Sequence, residues 1–300
     1  MTTKLKTEVP VPSLAPPLHR LVGIPGLKWL LLLIPLAYTV LFLYYSMISV
    51  LKLSVYDENG FTLEYIRQVF TEPLYLKVLG VTLKTACIVT VATLLISYPI
   101  AYLLVVMESQ RWKKVVMSLV MITLWISLLV RTFTWTVILQ DQGVINKMLI
   151  SLGLISEPIK LLYNTTGVVV GMTHILIPYM VLSLYAVMEG IDRRLVQAAQ
   201  GMGARPWQAF IQVFFPLSLP GVLSGSLIVF VLGLGYFITP ALLGGQGNMM
   251  ISKLIQENIQ TTLNWSMASA ISLVLLLATF LLLGLAAWVS RMSPLLKGEK

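Results

Sequence analysis

The chain has 300 residues, of which 57% are hydrophobic and 11% charged, with a mean hydropathy of +0.87. A soluble domain carries about a quarter charged residues, so a water-soluble globular protein is excluded and a membrane protein is expected. The net charge of +9 on so apolar a chain reads as membrane topology before nucleic-acid binding, and a single cysteine, Cys87, excludes an intramolecular disulfide framework or a cysteine-based metal cluster.

In chain order, residues 1–28 hold Pro10, Pro12, Pro16, Pro17 and Pro25 among scattered charges, which predicts an extended tail. Six apolar runs follow, each near the ~20 residues a helix needs to cross the hydrocarbon. They cover about residues 29–51 (with Pro35), 79–107 (Lys84, Pro99), 115–139 (Arg131), 167–188 (His174, Pro178), 217–237 and 266–290. The first is longer than a signal-peptide core and no small-x-small cleavage site follows it, so it is expected to be retained. Cys87, inside the second run, is expected to be a buried small residue. The last ten residues, 291–300, form a short tail.

A six-span layout puts thirteen Lys and Arg residues on the side of the N-terminus, six on the other side and two, Lys84 and Arg131, within spans. By the positive-inside rule both termini then face the cytoplasm. Trp29, Trp135, Trp265 and Trp288 lie near helix ends and are expected to be interfacial anchors. The outer segments at about 52–78, 140–166 and 238–265 are long enough for short interfacial helices, and Val144 to Ile155 has helical spacing.

The inner segment 189–216 is the most informative. Asp192 is placed to cap a helix running through Gln200, Gly201 and Gly203 break it, and Pro206 starts a second helix at its first position. Ala198, Ala199 and Gly203 would let another protein approach the backbone, while Trp207, Phe210 and Phe214 would supply apolar anchors. On these residues alone, an amphipathic hairpin resting on the membrane or on its own bundle is an equal alternative.

Gln197-Ala198-Ala199, three residues, Gly203, nine residues and Val213-Phe214-Phe215-Pro216 together resemble the EAA loop of permease subunits in binding-protein-dependent ABC importers. The resemblance implies an all-α integral membrane protein with the type I importer permease fold, a six-span domain over 29–290 and cytoplasmic termini. It implies that the loop, through Gln197, Ala198, Ala199, Gly203, Trp207, Phe210, Phe214 and Pro216, docks on a cytoplasmic ATPase. The implied partners are two copies of that ATPase, which bind the ATP and Mg, a second six-span permease forming a heterodimer, a periplasmic binding protein and the lipid of a bacterial inner membrane. Gln197 departs from the family's usual Glu and removes a charge there; Val213 and Phe215 are milder departures.

Ser97-Tyr98-Pro99, Leu129-Val130-Arg131-Thr132, Gly143-Val144-Ile145-Asn146, Ile177-Pro178-Tyr179-Met180 and Gly244-Gly245 are similar to the spermidine/putrescine branch of these permeases. Permeases for opines, 4-aminobutyrate and some oxyanions share much of this pattern and remain alternatives.

The chain has no Gly-x-x-x-x-Gly-Lys-Ser/Thr loop to cradle ATP phosphates and no His-Glu-x-x-His, so it is not expected to be an enzyme by itself and needs no cofactor of its own. A secondary carrier would need a midplane ion or proton site, yet the spans hold no Asp or Glu, and a membrane enzyme or scaffold has no constellation to support it. His174 reads as a helix–helix hydrogen-bonding residue. Arg131 reads as a structural or gating cation, because on the path itself it would repel an amine. Lys84 is expected to snorkel to the membrane edge. Aromatic faces suit ammonium groups, so Trp125, Tyr179, Tyr185, Tyr236 and Phe237 join Arg131 as candidate path or gate residues. Asp141, Glu157 and Glu257 fall on the outer side as candidate contacts for the binding protein.

Overall fold

The computed structural model describes residues 25–57 and 60–292; the expected tail 1–28 lies outside them up to residue 24, its last four residues are helical rather than extended, and most of the tail after residue 290 lies outside them. The chain divides into two units after Lys52.

The first unit contains helix α1, Pro25–Lys52, which starts with proline at its first position, where no helical N–H is needed. Pro35 lies inside it, and Thr39 Oγ1 donates to the Pro35 carbonyl at 2.8 Å. Tyr38 and Phe42, one turn apart, stack with ring centroids 6.0 Å apart.

The second unit opens with a two-stranded antiparallel hairpin, β1 (Tyr56–Asp57) and β2 (Gly60–Phe61). The helices α2 (Glu64–Thr71), α3 (Pro73–Val106), α4 (Gln110–Trp125), α5 (Leu128–Leu139), α6 (Val144–Ser151) and α7 (Thr165–Met188) follow. After them come α8 (Arg193–Gly201), α9 (Pro206–Ala209), a π-helical turn (Phe210–Phe214), α10 (Phe215–Gly235), α11 (Ile238–Leu243), α12 (Ile251–Gln260) and α13 (Trp265–Met292). Five helices among the described residues are long and apolar enough to cross a membrane, or six if one bent pair counts as a span.

The bent pair corrects the expectation for 115–139. A single helix does not cover that run: α4 ends at Trp125, Ile126 and Ser127 are extended, and the segment from Leu128 to Ser151 departs at 99° from α4. No proline or glycine marks the break, which is why hydropathy alone runs through it.

The centre of the bundle is α3, α7 and α10. Met172, Leu176, Met180, Leu184 and Met188 recur every four residues along α7 and are completely buried. Between helices in lipid, close packing and polar links decide association, because lipid is as apolar as the core. Such links are present: Thr132 and Thr239 hydroxyls meet at 3.2 Å between α5 and α11, and Thr82 of α3 accepts the Ile251 N–H of α12 at 2.8 Å. A second apolar cluster joins Val69, Val78, Ile251, Leu254, Met267 and Ile271, which ties α2 and α12 to the spans.

The Gly143–Asn146 stretch has a structural explanation. A Cβ at residue 143 would sit 2.3 Å from the Ile138 carbonyl, so only glycine fits the turn into α6. Buried Asn146 donates to the Gln140 and Ile159 carbonyls at 3.3 and 3.0 Å and accepts the Ile159 N–H at 2.9 Å, closing the loop after α5. Cys87 is exposed rather than buried, because it lies on the outer face of α3.

Candidate functional site

Asp192 caps α8, its Oδ1 accepting the Arg194 N–H at 2.9 Å. The helix stops by a two-bond motif: Gly203 N–H reaches the Gln200 carbonyl at 3.0 Å and Ala204 N–H reaches the Ala199 carbonyl at 3.1 Å. This closure puts Gly203 at φ +96°, a left-handed conformation that glycine adopts without strain. Gly201, expected to help break the helix, is its last residue. The chain then re-enters a helix at Pro206, in the first position, with Gln208 Oε1 accepting the Arg205 N–H at 2.9 Å.

From Phe210 the backbone widens to a π turn, in which Phe215 N–H bonds the Phe210 carbonyl five residues back. Pro216 offers no N–H to the residue four back and its ring crowds that carbonyl, a local reason for departing from α geometry. Helix α10 carries the chain onward, and Pro206–Gly235 together form one apolar run of 30 residues.

The hairpin has two faces. Gln197 and Ala198 are exposed, Trp207 is 59% exposed and Met202 at the tip is 85% exposed. Ala199 is buried, and Pro216 lies partly buried at the start of α10. Phe210 and Phe214 correct their reading as anchors for another protein: Phe214 is only 4% exposed and both rings face the chain's own core. Their partners are Tyr98 and Tyr102, which the sequence reading missed as loop contacts although they sit four residues apart at the end of an apolar helix. Tyr102 meets Phe210 and Phe214 edge-on at 5.1 and 5.0 Å.

At the other end of this segment, Lys113 Nζ pairs with Glu189 Oε1 at 2.9 Å and lies 5.1 Å from the centre of the Tyr185 ring. The Tyr185 hydroxyl also donates to Glu189. That hydrogen bond first, then the Lys113 ammonium, hold the Glu189 carboxyl below the usual carboxylate range. Tyr185, a candidate path residue, is therefore committed to the junction of α4 with the loop.

The other candidates do not converge on one site. Tyr179 of α7 and Tyr236 at the end of α10 pack against the main core of the bundle. Arg131 Nε and Nη1 are enclosed with no hydrogen-bond partner among the described residues. His174 Nδ1 finds no hydrogen-bond partner among the described residues, and its ring packs edge-on against Trp135 at 5.5 Å. Phe237 opens α11 and is partly buried. Trp125 stands apart, 87% exposed at the α4 end. Exposed Lys84 is free to extend along the surface.

Asp141 is exposed and lines a depression of about 540 Å³ with Gln140, Lys160, Leu162, Tyr163 and Asn164. Glu157 is exposed on the same inter-helical segment, whereas Glu257 is partly buried on α12. No group of three or more metal-ligating side chains occurs among the described residues.

A bundle of apolar helices with a capped hairpin between two of them defines a membrane-embedded helical protein. The chain belongs to the family of binding-protein-dependent transport system inner membrane components, which matches residues 94–293. It is 33% identical over 222 residues to the spermidine/putrescine transport system permease protein PotB of Haemophilus influenzae, covering 74% of this chain and 77% of that protein. The Escherichia coli PotB protein is 31% identical over 227 residues, covering 73% and 82% respectively. The fold is that of ABC importer permeases: a bacterial ABC transporter involved in import of the acidic polysaccharide alginate superposes with a TM-score of 0.70 at 18% identity, covering 92% of this chain and 99% of that one.

Proposed function

We propose that this chain is one of two six-span permease subunits of an ABC importer in a bacterial inner membrane, and that its cargo is spermidine, putrescine or a related small amine. Five spanning helices and the bent α4–α5 pair supply the six crossings, with both termini in the cytoplasm as the thirteen-to-six division of basic residues requires. The functional divisions are residues 1–28 as a cytoplasmic tail, 29–290 as the permease domain and 291–300 as a second tail.

The observation that carries this reading is the hairpin from Arg193 to Phe214. Its turn is fully hydrogen-bonded, its aromatic face is anchored in the chain's own core, and its other face leaves Gln197, Ala198, Met202 and Trp207 uncovered. A cytoplasmic ATPase, present twice and binding ATP and Mg, docks on that uncovered face. The likeness to the two PotB proteins supports the choice of cargo. A second, different permease completes the path, and a periplasmic binding protein meets the outer side near Asp141, Glu157 and Glu257.

Selection takes place in the binding protein, because no described span of this chain holds a carboxylate to grip an ammonium group. A weak path after capture favours release. Purification of the chain in mild detergent should bring down an ATPase and a second six-span protein, and the reconstituted complex should take up labelled spermidine only with ATP and the binding protein. An isolated chain that transports alone overturns the importer reading. Uptake restricted to an anionic compound retains the importer and overturns the amine.

A further inference from the structure

Resting on the importer reading, we infer that Tyr102 is the positioning residue through which displacement of the docking hairpin reaches the spanning helix α3, with Tyr98 tying the same aromatic stack to α10. Phe210 and Phe214 stack on each other at 5.7 Å with planes 17° apart. Tyr102 inserts its ring edge-on against both, at 79° and 78°. One rigid side chain of α3 thus grips both ends of the π turn, and edge-to-face geometry resists sliding in a way that an aliphatic contact does not.

Tyr98, one turn earlier on α3, lies edge-on to Phe210 at 6.2 Å and tilted on Phe215 at 5.9 Å. Its hydroxyl meets Ser218 Oγ at 2.8 Å, and Ser218 Oγ lies 2.8 Å from the Phe215 carbonyl, to which it donates. The first turn of α10 is therefore held to α3 by a polar link as well as by rings.

The space beside this stack is not filled. A cavity of about 220 Å³ lies between α3, α8 and the π turn, lined among others by Tyr102, Gln197, Gln200, Phe210 and Phe214. Gln197 and Gln200 are exposed at its open mouth, so α8 has room to shift toward α3, whereas Phe210 and Phe214 of the π turn are already in ring contact with Tyr102. Force on the exposed face of α8 can follow the backbone through the Gly203 turn to Phe210 and Phe214, and there it meets Tyr102. A π turn inside a long helix is also where one residue of register can be taken up, about 100° of rotation and 1.5 Å of rise.

The test is the ratio of import to ATP hydrolysis in the reconstituted full complex. Tyr102→Phe keeps the ring and should keep the wild-type ratio. Tyr102→Leu keeps apolar volume without edge-on geometry and should lower the ratio about tenfold with binding-protein-stimulated hydrolysis retained, the scale expected for losing two aromatic pairs. Tyr102→Ala should do the same or more, and if it fails to assemble, the leucine variant decides. A leucine variant with a wild-type ratio overturns the inference, as does an equal fall of hydrolysis and import, which marks a merely structural residue. A wild-type complex without ATP-dependent uptake overturns the importer reading and this inference with it.

Discussion

Two segments of this protein are built alike, as two helices joined at a sharp turn, and they differ in whether the turn is finished. The hairpin α8–α9 closes on Gly203 with both orphan carbonyls satisfied and an aspartate cap at its start. The bend between α4 and α5 passes through Ile126 and Ser127 with no glycine and no side-chain cap, and α4 buries none of its residues. Just beyond that bend lies Arg131, with two enclosed donors that find no partner among the described residues. The first segment carries its own stability and offers a preformed surface. The second is shaped by what packs around it, so its side chains are placed for interactions rather than for local order.

The largest expected effect breaks the finished turn. At φ +96° a β-branched residue is strained by roughly 1–2 kcal/mol, yet nothing lies within 4 Å of the position a Cβ would occupy. Gly203→Val should therefore abolish import while leaving membrane insertion intact, and Gly203→Asn, which tolerates the left-handed region, should restore much of it. A bulky side chain fails here through its backbone; full uptake by the valine variant would remove the turn from the mechanism.

Arg131 sharpens the contrast. Two enclosed guanidinium nitrogens without a partner among the described residues cost stability, and removing them relieves that cost by about 1–3 kcal/mol. Arg131→Met should raise the thermal midpoint in detergent and lower import several-fold, the signature of a group held for function. A variant that is less stable than the native chain would mean that the guanidinium is paired in solution and purely structural.

The smallest effect concerns the junction of the two segments, Lys113 with Glu189. The depressed Glu189 carboxyl contributes its contact above the usual carboxylate range, and the contribution is lost as pH falls through the folded value. Protection of the amides at residues 186–192, taken relative to their intrinsic exchange rate at each pH, should fall as pH drops below the usual carboxylate range in the native chain and already be low at neutral pH in Glu189→Gln. Protection that is independent of pH in the native chain would show that the pair does not hold the loop.

How much of this was legible follows from the same contrast. The hairpin could be read because capping, glycine closure and proline entry are local chemistry written in consecutive residues. Gly201 was assigned the wrong task, since two nearby glycines look alike until the hydrogen bonds choose one, and Phe210 and Phe214 were assigned the wrong face, since local spacing does not say which side of the hairpin meets the bundle. The α4–α5 bend could not be read, because hydropathy is continuous across Trp125, Ile126 and Ser127 and lipid tolerates either a straight or a broken helix if neighbours satisfy the backbone. The same holds for His174 beside Trp135, a contact between residues 39 positions apart that no local pattern announces.

By itself the sequence determined that this chain lies in a membrane, where most of its helices run, how its basic residues divide and where its hairpin turns, because each of these depends on composition or on neighbours a few residues apart. The tertiary structure alone decided that Phe210 and Phe214 face inward onto Tyr98 and Tyr102, that Arg131 is left with enclosed donors, and that Tyr185 serves Glu189. Which face of an apolar helix meets protein is set by packing between distant segments, and in a chain this uniformly apolar hydrophobicity no longer distinguishes one face from another.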